Sequence, residues 1–204
     1  LFLSFDEKLG TGFIPFGIKG DWEKVSISLD YRKSTKHFLF NYWDQNYDHN
    51  RAMVVVDDDD ESIVETKEDK LYLYGKSKGV SLSIVSNFLK IFQLEMTYQH
   101  LNGDKWDVVL NDYKSDQNST FYTKLDIDTS KINKVRVAEI FYKQSNASKP
   151  FSFNPDENTL FGYNIGVEMA DNMILILKGR KSYVHDDGDY RPVKTTQIET
   201  QIIF

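Results

Sequence analysis

Histidine is the side chain whose ordinary pKa lies nearest neutrality, so it is where acid–base chemistry is sought first. The chain has four: His37, His49, His100 and His185. His185 opens the run His185-Asp186-Asp187-Gly188-Asp189. A histidine beside carboxylates could serve as a general base. Such a site would need a second acidic pair from other strands, and the sequence places none; Asp-Gly is also an ordinary turn. His49 sits in Tyr47-Asp48-His49-Asn50, and His100 lies just before Asn102-Gly103. No HExxH or other spaced metal pair occurs, so each histidine reads as an interface or loop residue. Asp57-Asp58-Asp59-Asp60-Glu61 offers hard oxygen ligands. It has neither EF-hand spacing nor the glycine that lets a loop fold round calcium, so a solvated acidic loop is expected. There is no cysteine, hence no disulfide, thiolate metal site or thiol nucleophile. GxSxG, P-loop and GxGxxG patterns are absent. The expectation is a protein without catalytic residues, metal or cofactor. Asn118-Ser119-Thr120 and Asn146-Ala147-Ser148 fit the glycosylation pattern, which matters only in a eukaryotic secretory setting.

The 204 residues carry 25 basic and 31 acidic side chains, a formal charge of -6. That excess argues against a general nucleic-acid binder, which needs clustered Lys and Arg. The length fits a single domain, 1–204, or the C-terminal part of a larger one, and no boundary or repeat interrupts it. The first residue is Leu1, and no basic segment followed by an apolar core is visible near it. Either a signal peptide has been removed or the chain begins within a longer protein. No apolar run approaches the roughly eighteen residues of a membrane-crossing helix. A membrane β-barrel stays open, because its strands are short and only half apolar. Mean hydropathy is -0.49, although 14% of residues are aromatic.

Strict alternation reconciles those two figures. In 25–32, Val25, Ile27, Leu29 and Tyr31 oppose Ser26, Ser28, Asp30 and Arg32. In 92–99, Phe92, Leu94, Met96 and Tyr98 oppose Gln93, Glu95, Thr97 and Gln99. In 121–127, Phe121, Thr123, Leu125 and Ile127 oppose Tyr122, Lys124 and Asp126. In 161–169, Phe161, Tyr163, Ile165, Val167 and Met169 oppose Gly162, Asn164, Gly166 and Glu168. In 196–204, Ile198, Ile202 and Phe204 share a face with Thr196 and Thr200, against Gln197, Glu199 and Gln201. Strand side chains point alternately to opposite faces, so each segment has one apolar and one polar side.

Less regular strands are expected at 12–18, 36–43, 52–56, 70–76, 80–86, 106–112, 134–142 and 172–183, with a bulge between Val137 and Ile140. A short helix over 82–91 is the one alternative element. Gly162-x-x-x-Gly166 has helix-packing spacing but lies on a strand. Pro150, Pro155 and Pro192 fall outside every strand, and Pro15 falls in 12–18. From residue 88 onward the connections alternate. Asn102-Gly103-Asp104, Thr129 to Asn133 and Ala170-Asp171-Asn172 are short; Tyr113 to Asn118, Lys143 to Asn158 and Val184 to Pro192 are long. An up-and-down order would then sort short turns to one rim and long loops to the other.

The stretch from Phe88 to Phe204 resembles the C-terminal part of a Gram-negative outer-membrane β-barrel. Its closing Ile198-x-x-x-Ile202-x-Phe204 is similar to the terminal strand through which such proteins meet the barrel assembly machinery, with Ile202 where an aromatic is common. The resemblance implies an all-β fold, an antiparallel up-and-down transmembrane barrel with about ten to twelve strands in this chain. It implies a porin-like channel or structural barrel component of the outer membrane. Partners would be membrane lipid, lipopolysaccharide, the assembly machinery through Ile198, Ile202 and Phe204, and other membrane or periplasmic subunits. The polar face would then line the lumen, with Asp30, Arg32, Glu95, Lys124, Asp126, Glu168, Lys178, Arg180 and Glu199 as its charges. Both signs are mixed there, which predicts weak ion selectivity. Trp22, Tyr31, Tyr98, Trp106, Phe121, Phe141, Tyr163 and Tyr183 are candidates for the interfacial aromatic belts. The class includes proteases with His and Asp at the rim, which would make His185 and its neighbours a hydrolase site. The competing reading is a soluble exported β module, apolar face inward, binding a ligand or glycan through its loops.

Overall fold

Alternation becomes strand wherever it is clean. The structure is a computed structural model. It describes residues 9–40, 42, 51–56, 62–145, 151, 153–170, 172–186 and 188–202. Among these are eleven strands: β1 (Gly12–Asp21), β2 (Val25–Ser34), β3 (Ala52–Val56), β4 (Ser62–Thr66), β5 (Tyr74–Phe88), β6 (Phe92–Asp107), β7 (Asp112–Ile127), β8 (Val135–Gln144), β9 (Thr159–Ala170), β10 (Met173–Asp186) and β11 (Asp189–Ile202). Nine form one sheet in the order β1-β2-β5-β6-β7-β8-β9-β10-β11, and β3 pairs with β4 alone. The protein is therefore all-β, with consecutive strands side by side. No helix among the described residues is long and apolar enough to cross a membrane, a fact that says nothing of a β-barrel.

Direction alternates through the sheet. β7 to β11 pair antiparallel in turn. Between β2 and β5, the His37 amide donates to the Tyr74 carbonyl and the Asn87 amide to the Lys24 carbonyl, so these strands also run oppositely. β1 turns into β2 through Trp22–Lys24, closed by a 2.8 Å bond from the Trp22 amide to the Val25 carbonyl. β1 and β11 are the two edges, each with one neighbour.

Turns depart from expectation in instructive ways. Asn102-Gly103-Asp104 is not a hairpin but lies inside β6. The turn comes at Val108–Asn111, where Asp107 Oδ1 accepts from the amides of Val109 and Leu110. A side-chain acceptor replaces the glycine that the sequence lacks there. Tyr113 to Asn118 is accordingly strand, and 106–112 is no separate element. Within Val184 to Pro192, β10 runs on to Asp186 and β11 starts at Asp189, with Gly188 at φ 92 between them. Pro192 sits within β11, as only an edge strand tolerates. Residues 35–40 form no strand, and 82–88 are strand rather than helix. Of the three connections expected to be long, only the one between β8 and β9 is so; β1–β2, β5–β6 and β7–β8 are joined by the shorter segments 22–24, 89–91 and 128–134.

Contacts gather the described residues into two units, each holding parts of β1, β2, β5, β6 and β7. The first takes in the chain up to Phe16, Tyr31–Val80 and Leu101–Gln117. It buries Leu71 and Leu101, and the Ser34 and Ser77 hydroxyls lie 2.7 Å apart. The second comprises Gly17–Asp30, Ser81–His100 and the chain from Asn118 onward. It buries Phe121, Phe141, Leu160 and Ile174.

Candidate functional site

The second unit presents a polar face whose membership follows from register. Lys124 stands opposite Phe141 and Asp126 opposite Glu139 on β7–β8. Glu139 stands opposite Asn164, and Phe141 opposite Gly162, on β8–β9. Asn164 faces Lys178 and Gly162 faces Arg180 on β9–β10. Lys178 then faces Gln197, and Ile176 faces Glu199, on β10–β11. Opposed residues on antiparallel strands share a face, so one continuous row crosses five strands.

The charges on this face are paired. Lys124 Nζ lies 3.0 Å from Asp126 and 3.8 Å from Glu95. Lys178 Nζ lies 2.7 Å from Glu199, which also accepts from Gln197 Nε2 at 2.9 Å. Asn164 donates to Glu139, and Arg136 pairs with Glu168. Arg180 packs its guanidinium 4.7 Å from the Phe141 ring centroid and donates to the carbonyls of Tyr163 and Gly179. Glycine makes that packing possible: a β-carbon at 162 would run into both the Phe141 ring and the Arg180 stem. Half-buried charges persist when each finds an opposite charge and hydrogen-bond partners.

Of the charges expected on the polar face, Glu95, Lys124 and Asp126 meet directly, Lys178 meets Glu199, and Glu168 and Arg180 have the partners just given. Asp30 and Arg32 lie on β2, outside the five strands of this row. Asp30 lies over Gly17, where a β-carbon would come within 2.5 Å of its Oδ1. Arg32, in the first unit, stacks 5.3 Å from the Phe40 ring centroid. Glu139 and Arg136 are members the alternation missed. The expected slip between Val137 and Ile140 would have turned Glu139 away, but the irregularity lies between Val135 and Val137.

The opposite face of the same strands is apolar and open. Ile140, Phe161, Ile165, Met169, Ile198 and Ile202 point there, and Ile198 is 65% exposed while Phe141 on the polar face is 2% exposed. Ile198 pairs with Leu177, and Ile202 with Met173. Phe204 lies outside the described residues, as do His49 and Asp57–Glu61. Two aromatics expected in belts sit otherwise. Phe141 is buried on the polar face, and Phe121 is covered by Phe151 and Phe153 of the β8–β9 connection, with ring centroids 5.2 and 6.2 Å away. The same connection is held by Gln144, whose amide donates to the Asn154 carbonyl.

Three of the four histidines lie among the described residues, and each has a neighbour there. His185 makes an edge contact with Tyr190, His100 bonds Ser119, and His37 bonds the Tyr113 hydroxyl. Among the described residues no group of three or more His, Cys, Asp or Glu could hold a metal ion.

No protein-family model matches the chain, and no curated protein matches it. Among solved structures it is similar to one described as "NanC porin structure in rhombohedral crystal form", at 8% identity and a TM-score of 0.43, covering 96% of this chain and 97% of that one.

Proposed function

We propose that this chain is an integral outer-membrane β-barrel protein, a porin-like passive channel without covalent chemistry. One observation carries the reading: the sheet is inside out for a water-soluble protein. Ile140, Ile165, Ile198 and Ile202 are left open on one face, while paired charges crowd the other. Water penalises that exposure by about 25 cal/mol per Å² of apolar surface, and a lipid contact removes the penalty. A membrane also demands that the backbone be satisfied internally, which strands achieve only by closing on themselves.

Each base on the polar face has an acid, amide or carbonyl partner, so the passage would carry little net charge of either sign. Small solutes would pass according to width, with weak cation or anion preference. Lipid, lipopolysaccharide and the assembly machinery are the partners this reading requires.

Extraction tests it first. The folded protein should need detergent, and its gel mobility should shift on boiling. A monomer soluble without detergent would instead mean an exported β module. Single-channel recordings in planar bilayers should then show passage with weak ion selectivity, and strong selectivity would overturn the paired-wall account. Removing Phe204 should slow assembly in vivo; unchanged assembly would deny it a signal role.

A further inference from the structure

The first unit contains a cavity of about 480 Å³ lined by Phe13, by 33–35, 76–78 and 102–104, and by Ser115. Three strands each give three consecutive residues. The middle ones, Ser34, Ser77 and Gly103, turn together to one side: the two hydroxyls are 2.7 Å apart, and a β-carbon on Gly103 would lie 2.7 Å from Ser77 Cβ. Alternation therefore sends Lys33, Lys76, Lys78, Asn102 and Asp104 to the other side, into the cavity.

The lysines are arranged against their own repulsion. The two backbone bonds between β2 and β5, His37 to Tyr74 and Asn87 to Lys24, fix one register along the pair. That register sets Ser34 against Ser77, and so Lys33 against Lys78. Like charges directly opposite on neighbouring strands destabilise a sheet. Among the described residues no carboxylate forms an ion pair with Lys33, Lys76 or Lys78, although Asp104 lines the same cavity. A wall with excess positive charge, carrying Asn102 beside the three lysines, fits a phosphate, which accepts several hydrogen bonds at once.

The neighbouring residues say where that phosphate comes from. Lys33 continues the face of β2 that holds Val25, Ile27, Leu29 and Tyr31. Lys76 and Lys78 precede Val80, Leu82 and Ile84 on the matching face of β5. Apolar side chains give way to lysines at the same end of two paired strands. A lipid-facing surface changes in that way where hydrocarbon ends and headgroups begin.

We propose that Lys33, Lys76 and Lys78 form a binding site for the phosphate of an anionic lipid headgroup. The assignment of lipid as its source rests on the membrane-barrel reading above. The test compares the wild type with K33Q/K76Q/K78Q in nanodiscs of phosphatidylcholine doped with phosphatidic acid, counting retained phosphatidic acid by native mass spectrometry. Loss of roughly fivefold affinity per lysine, about a hundredfold for all three, is expected. K33R/K76R/K78R should retain binding, which separates lost charge from lost fold. Equal retention by wild type and glutamine variant, both inserted, would overturn the site and leave the barrel reading intact. Failure of the wild type to insert would overturn the barrel reading itself. Inorganic phosphate is titrated into the detergent-solubilised protein as a separate arm. Binding there as tight as to the lipid would make the cavity a soluble-anion site and overturn the lipid assignment.

Discussion

Lys124 and Lys178 on the polar face of the second unit, and Lys33, Lys76 and Lys78 in the cavity of the first, are one residue type in two settings. The former two each touch a carboxylate within 3.0 Å. The latter three touch none, and two of them are opposed across a strand pair. Paired charges are internal structure: their fields are cancelled where they arise. Charges gathered round a cavity without a carboxylate partner project outward, Lys33 over the Tyr31 ring at 5.6 Å among them.

The largest effect should come from the surface beside the paired region. Ile165→Arg places a cation on the open apolar face, which should destabilise the lipid-inserted protein by about 2–4 kcal/mol in urea unfolding from vesicles. In a soluble protein the same exposed site should shift stability by no more than about 0.5 kcal/mol, and that outcome would remove the comparison's premise. Next comes Lys124→Met, which leaves Glu95 and Asp126 side by side without their cation. We expect a loss of about 1–2 kcal/mol, reduced from the fully buried figure because these groups are partly solvated. Lys76→Met, by contrast, should change stability by less than about 0.5 kcal/mol in lipid-free detergent. Equal losses at 124 and 76 would mean the two settings do not differ.

The smallest effect is a reference outside both regions. Asp128 follows β7, and its Oδ1 accepts from the Ser130 amide at 2.9 Å. That backbone bond, followed by the Ser130 hydroxyl, holds its carboxyl below the ordinary aspartate value. A lowered carboxylate pKa stabilises the turn above the ordinary value, and the gain is lost as pH falls through the lowered one. The carbon resonance of the Asp128 carboxyl should therefore titrate with a midpoint below the ordinary aspartate value. A midpoint at or above that value would show the turn bond absent in solution.

Much of the paired region was legible in the sequence, because alternation states which residues share a face. Register then places Lys124, Asp126, Lys178 and Arg180 together as their phases required. Glu139 escaped because a one-residue slip inverts every later assignment, and the slip lies nearer the start of β8 than the hydropathy pattern indicated. Turns were less legible. Asn102-Gly103-Asp104 has hairpin composition, yet Gly103 serves close approach to Ser77 within the strand. Val108-Val109-Leu110 turns because Asp107 caps it, which no local apolar pattern announces. The cavity was illegible for another reason. Lys33, Lys76 and Lys78 lie on the nominally apolar face of strands far apart in sequence, and only pairing brings them together.

Parity has a consequence for the edges. Nine strands that reverse direction at every step leave β1 and β11 pointing the same way. Around a ring, reversal returns to its starting sense only when the count is even. Joined directly, these two would make one parallel ladder with slanted bonds amid antiparallel neighbours. A tenth strand inserted between them would restore the alternation. Each edge also carries a proline, Pro15 and Pro192, and so is one donor short. In a closed ring that seam would be the one junction whose chemistry differs from the rest, and the natural place to open or to admit another strand.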